Sequence, residues 1–155
     1  VKAYAGALKS ELAAAMQAGG PVNAIEVCQM SAPRIAGSVS AQMDLQISRV
    51  SLRNRNRDNA PNDWQRAVLE AFEERRLAGE SPATLAWHEV ADVNGTEEFR
   101  FMKAIPTDDV CLMCHGAQIE EQLSAELKRL YPADQATGFK KGDIRGAFTA
   151  IKILE

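Results

Sequence analysis

Thr84-Leu85-Ala86-Trp87-His88-Glu89-Val90-Ala91-Asp92-Val93-Asn94-Gly95-Thr96-Glu97-Glu98-Phe99-Arg100-Phe101-Met102-Lys103-Ala104-Ile105 is the stretch that decides the fold class. Two extended runs, Thr84 to Asp92 and Thr96 to Ile105, carry aromatic and β-branched residues and meet at Asn94-Gly95. That pair accepts the positive φ of a two-residue turn, so the stretch predicts a β-hairpin. A chain containing such a hairpin cannot be a helical bundle.

Upstream of the hairpin the pattern is mostly helical. Tyr4, Leu8, Leu12 and Ala15 share one face of a helix over residues 2–18 that stops at Gly19-Gly20. Pro21 suits a helix N-terminus, and Ile25, Cys28, Ala32 and Ile35 form the inward stripe of a second helix. Pro33 lacks the N–H that would bond back to residue 29, so this helix is expected to kink or restart near Ser31. Residues 45–52 read as a strand, and Arg53 to Asn62 as a polar loop dense in guanidinium groups. Asp63 can cap a helix reaching about Leu77, with Trp64, Val68, Leu69 and Phe72 facing the core.

Downstream, Pro106 ends the hairpin, and Asp108 or Asp109 starts a short helix. A helix follows from about Gln118 to Leu130, with Ile119, Leu123, Leu127 and Leu130 as its stripe, and the chain closes on an alternating strand from Arg145 to Leu154. Helices first, then strands with one crossing helix, describe an α+β domain around an antiparallel sheet. At 155 residues, without a linker or repeat, residues 1–155 read as a single domain.

The short helix holds Cys111-Leu112-Met113-Cys114-His115-Gly116, the Cys-x-x-Cys-His spacing of covalent c-type haem attachment. The two thiols can add to the two vinyl groups of one haem, and His115 is then placed to ligate the iron. Half a zinc site would use the same Cys pair, but only Cys28 and His88 remain for the other half, far apart and without paired spacing. A thioredoxin-like pair would follow a strand in a βαβ unit, which the hairpin does not provide.

Composition sets further bounds. A net charge of −3 gives no electrostatic case for nucleic acid, and no apolar run approaches the roughly 20 residues of a membrane-spanning helix. A signal peptide or membrane anchor upstream of Val1 is compatible with the sequence. Haem c is attached outside the cytoplasm, so a periplasmic or other extracytoplasmic location is expected. There, with Cys111 and Cys114 in thioether bonds, Cys28 is left as an odd thiol.

What faces His115 across the iron decides the chemistry. Cys28, Met30, Met43, His88 and Met102 are the candidates; patterning directs Cys28 best, with His88 and Met102 next. Arg53, Arg55 and Arg57 are candidates to pair with the haem propionates, because a guanidinium fork matches a carboxylate. At most one or two of the three are expected to do so.

Ala24 to Ala36, the Arg49-to-Pro61 segment with Arg55-Asn56 and Asn59-Ala60-Pro61, Cys111 to Gly116, and Gly138 to Ala147 with Gly142-Asp143-Ile144-Arg145-Gly146-Ala147 together resemble the PAS-like monohaem c domain of cyanobacterial and proteobacterial proteins. The resemblance runs nearly the whole chain, in order. Where that family commonly has Arg-Asn-Pro, this chain has Arg55-Asn56-Arg57. The resemblance implies a PAS-like antiparallel sheet with N-terminal helices, one covalent haem c packed between helices and sheet, and iron ligation by His115 and Cys28. It also implies, as one function, an extracytoplasmic redox or diatomic-gas sensor coupled to a signalling output domain; because reduction weakens an iron–thiolate bond, release of Cys28 on reduction is the expected switch. The alternative is a low-potential electron-transfer cytochrome serving a redox partner protein. An enzyme would need converging acid and base groups, which the sequence does not display, so no catalytic residue is expected.

Overall fold

The computed structural model describes residues 1–154; the side chains of Glu26, Val27 and Cys28, and all of Glu155, lie outside the described residues. Helix α1 spans Lys2–Met43 and is broken where Gly19 (φ −158°, ψ 17°) and Gly20 (φ 71°, ψ −167°) leave helical geometry. The left-handed φ at Gly20 suits a residue without Cβ. Asn23 donates to the carbonyl of Ala15 across the break at 3.1 Å, joining the two arms.

The second arm does not restart near Ser31. It runs through Pro33 to Met43, and its only non-helical dihedrals are those at the glycine break. Proline inside a helix costs about 3 kcal/mol, whereas burying one large aliphatic side chain contributes roughly 1.5–3 kcal/mol. Beyond Pro33, Val39 is buried, and Ile35 and Ala36 pack beside it in one cluster with Tyr4, Ile47 and Phe148. That packing offsets the lost hydrogen bond.

Strand β1 (Gln46–Val50) follows, then a 3-10 turn at Arg57–Asn59 and helix α2 (Asp63–Leu77). Asn62, not Asp63, caps α2: its side chain accepts from the Gln65 N–H while the Gln65 side chain accepts from Asn62 N–H, a reciprocal capping box. Strands β2 (Ala86–Val93) and β3 (Thr96–Pro106) form the expected hairpin, with positive φ at Asn94 and Gly95. Helices α3 (Leu112–His115) and α4 (Glu121–Leu130) precede the last strand, β4 (Ile144–Ile153). Among the described residues no helix is long and apolar enough to cross a membrane.

The four strands lie antiparallel in the order β1-β4-β3-β2, so the last strand in sequence occupies the interior of the sheet. One face packs on α2 through Val50, Ala147, Met102 and Ala104 against Val68, Leu69 and Phe72. The other face meets α1, where Tyr4 sets its ring edge-on to Phe148 with centroids 5.5 Å apart. A third cluster joins the second arm of α1 to α4 through Ile25, Leu123 and Leu127, with Cys114 packed against it. This is the α+β arrangement expected, with N-terminal helices against an antiparallel sheet.

Strand β4 is irregular at its start. The β3–β4 register passes from Ile105 opposite Gly146 to Pro106 opposite Ile144, leaving Arg145 as an extra residue. Such a β-bulge turns a side chain out of the regular alternation. Gly146 makes it possible: its φ is 156°, and a Cβ there would lie 2.3 Å from the Val50 carbonyl oxygen. Gly146→Ala is therefore expected to destabilise the fold by about 2–4 kcal/mol, read as a lower urea midpoint with an unchanged slope.

Candidate functional site

Strand β3 ends at Pro106, and Thr107 is pinned to the 142–143 turn by two backbone bonds: its N–H donates to Asp143 (2.8 Å) and its carbonyl accepts from Gly142 (2.9 Å). A 3-10 turn, Asp109–Cys111, then leads into α3, so Cys111 and Cys114 lie on consecutive turns with both residues half-buried. The Asp108 N–H approaches Cys111 Sγ at 3.4 Å. This region delivers both thiols and His115 on one short, tightly anchored segment.

His115 is half-buried, and its Nδ1 lies 2.7 Å from the Ala136 carbonyl oxygen. A carbonyl can only accept, so Nδ1 carries the proton. Burial, followed by the positive charges of Arg145 and Arg55, pushes the imidazole pKa down to about 2. The ring is therefore neutral, with its lone pair on Nε2, which is the state and orientation a metal ligand needs. Phe139 meets the ring edge-on, centroids 6.2 Å apart, and its N–H donates to the His115 carbonyl at 2.8 Å.

The three loop arginines have separate placements. Arg55 Nε donates to Asp134 Oδ2 at 2.9 Å, and its terminal nitrogen donates to the carbonyls of Cys114 (2.6 Å) and Ala136 (3.2 Å). It is a clamp joining α3 to the 134–136 loop. Arg53 donates to the Thr137 carbonyl and lies over the Phe139 ring, 4.2 Å from its centroid. Arg57 sits exposed in its 3-10 turn.

Sequence reasoning passed over Arg145, which the bulge brings into this region. It donates to Ser51 Oγ at 3.1 Å and to the Arg53 carbonyl at 3.4 Å, and its guanidinium lies 5.4 Å from the Phe139 centroid. Its Nε is buried with no hydrogen-bond partner among the described residues. The charge is under stress: burial, then Arg55 and Arg49, pull its pKa down to about 9, so it is still cationic at neutral pH. Within the strand Arg145 is one of three polar residues, with Thr149 and Lys152, and the bulge that sets it aside arises only from pairing with β3, so no local pattern marks it.

Among the other residues considered opposite His115, Met102 is fully buried in the core facing α2, and Met30 and Met43 are exposed. His88 is exposed on the outer strand β2, its ring 6.0 Å from that of Phe99. The Cys28 side chain lies outside the described residues, although its backbone belongs to the second arm of α1.

Two half-buried thiols, a neutral imidazole with an available Nε2, and an excess of guanidinium charge with an orphaned buried N–H make a consistent donor set. It suits a metal-bearing group that attaches through thiols and carries negative charge of its own.

A family model described as Tll0287-like matches residues 2–152. The crystal structure of the cyanobacterial haem protein Tll0287 superimposes with a TM-score of 0.65 at 24% identity, covering 83% of this chain and 72% of that one. At that identity the likeness carries the fold, and it agrees with the PAS-like α+β arrangement expected from the sequence. No curated protein matches the chain significantly.

The clamp gives a direct test. Arg55 and Asp134 are both largely buried, with side chains 12% and 10% exposed, so Arg55→Ala leaves a carboxylate without its partner. The expected loss is about 3–5 kcal/mol of stability in chemical denaturation, with faster amide exchange through residues 134–139.

Proposed function

The chain belongs to the Tll0287-like family, and from that premise we propose that it is a c-type cytochrome domain carrying one covalent haem and acting as a redox or diatomic-gas sensor. The observation that carries the haem reading is the preset imidazole: His115, one residue after a Cys-x-x-Cys pair, is held neutral with Nδ1 committed to Ala136. When bound, haem would supply one-electron chemistry at an iron that takes ligands from the chain. Within the chain, Cys111 and Cys114 provide the thiols for attachment and His115 offers Nε2 on one side. Cys28 is the ligand assigned to the other side, on the strength of its place in the helix stripe and of the family resemblance. Its location outside the cytoplasm follows from the chemistry of haem attachment.

Thiolate ligation favours the oxidised state and implies a low potential. On this reading Cys28 would hold the group only in its oxidised state, and a Cys28 thiol released on reduction, protonated from solvent, would leave room for carbon monoxide or nitric oxide. The part of the second arm around Cys28 would then lose one of its anchors. The glycine break at Gly19-Gly20 is the hinge for such a displacement, because the second arm can swing there without unwinding the first. A downstream output domain would read that movement.

One observation favours a second reading, a low-potential electron-transfer cytochrome without a switch. Ile25, one turn before Cys28, is buried against Leu123 and Leu127 of α4, and that packing resists movement of the arm. A ligand held in both redox states keeps reorganisation small and would serve a redox partner protein directly.

Absorption and electron-spin-resonance spectra of ferric and dithionite-reduced protein separate these readings. Cys28→Ala is expected to abolish the wild-type low-spin ferric spectrum; an unchanged spectrum would remove Cys28 as a ligand. Reduced wild-type protein is expected to bind carbon monoxide, and failure to do so decides for electron transfer. Cys111→Ala with Cys114→Ala should eliminate haem that survives a denaturing gel.

A further inference from the structure

We infer that Arg145, delivered by the β4 bulge, is the residue that pairs with a propionate of the haem, in place of the loop arginines. The inference rests on the haem reading above and assigns one of its contacts. Its geometric basis is independent of the motif. A bulge at an interior strand interrupts the ladder of hydrogen bonds, and here it also requires a glycine with a 156° φ pressed against the Val50 carbonyl. The structure accepts that cost at one residue, and the residue it sets aside is a guanidinium.

The surroundings of Arg145 do not satisfy it. One terminal nitrogen is used by Ser51 Oγ and the Arg53 carbonyl, both neutral acceptors, while Nε is buried without a partner among the described residues. A buried donor of a charged group left unpaired is strongly unfavourable, so its presence points to an acceptor beyond the described residues. The neighbouring fixed charges give the sign of that acceptor. Arg55 and Arg49 add positive charge around Arg145, and Asp134, the carboxylate acting on it, is already bound to Arg55 Nε. The missing partner is an anion with two oxygens, which a guanidinium edge pairs through Nε and a terminal nitrogen together.

Position selects the haem carboxylate as that anion. Arg145 lies against Phe139, and Phe139 lies edge-on to His115, so the guanidinium is one aromatic ring away from the imidazole. The loop arginines are less suited. Arg55 already serves Asp134 and two carbonyls, Arg53 reaches the Thr137 carbonyl from an exposed position, and Arg57 is exposed in its turn. The lowered pKa of Arg145 agrees with a cation built for a counter-ion.

The test uses haem-loaded protein and two readouts, the propionate bending band in resonance Raman spectra and the reduction potential from a dye-mediated titration. In Arg145→Gln the band is expected to shift and the potential to fall, because a cation that favours the more negative, reduced state has gone. Arg145→Lys should retain most of the potential but still shift the band, since an ammonium cannot form the forked pair; this variant also serves if the glutamine form does not fold. Arg66→Gln, exposed on α2, should change neither. If both Arg145 variants keep the wild-type band and potential, or if Arg53→Gln or Arg57→Gln shifts the band instead, the assignment is overturned. Wild-type protein that holds haem with an unmoved band in Arg145→Gln defeats only this inference. Wild-type protein that holds no haem defeats the cytochrome reading with it.

Discussion

The guanidinium of Arg55 ties three separate parts of the chain to one another through a single side chain. From one side chain it reaches Asp134, the carbonyl of Cys114 and the carbonyl of Ala136, while Ala136 is also the acceptor for His115 Nδ1. The orientation and tautomer of the imidazole therefore depend on a loop whose own position depends on a salt bridge. Asp134 closes the circle by accepting from the Ala136 N–H at 2.7 Å. Because the pair is largely buried, each partner is needed to offset the cost of dehydrating the other. A rigid imidazole follows from this closed set of bonds more than from α3, which spans only Leu112–His115.

Much of the fold could be read from the residues because the deciding signals were local. Asn94-Gly95 needs only its own backbone preferences to make a turn, and Gly19-Gly20 breaks a helix wherever it stands. The stripe of Val68, Leu69 and Phe72 likewise follows from helical spacing. The continuation of α1 through Pro33 was not legible, since it depends on packing against Ile47 and Phe148, residues distant in sequence. The same limit applies to the site. Cys111, Cys114 and His115 announce themselves by spacing, but nothing local says that Arg55 is engaged by Asp134, or that Arg145 is a bulge residue. Both facts exist only once β1, β4 and the 134–139 loop are assembled.

Electrostatically the site is unbalanced in a way that informs its chemistry. Arg55, Arg145 and Arg49 all bear on His115, and each lowers its tendency to take up a proton. A positive surrounding keeps an imidazole neutral and would equally favour a thiolate or a carboxylate brought close to it. Burial does most to keep the imidazole neutral, and the three guanidinium groups that add to this effect also give the site its attraction for negative charge.

The interior placement of β4 governs the order in which the molecule can be made. Its partner β1 lies about a hundred residues earlier, with Ser48 Oγ and Thr149 Oγ1 in contact at 2.7 Å across a separation of 101 positions. Neither β1 nor the β2–β3 hairpin can join the other until the final strand arrives between them, and closing so long a loop is slow. Cys111 and Cys114 emerge from synthesis well before that closure. During this interval the segment carrying Cys111, Cys114 and His115 lies beside an unfinished sheet, which closes only when β4 has paired with both neighbours.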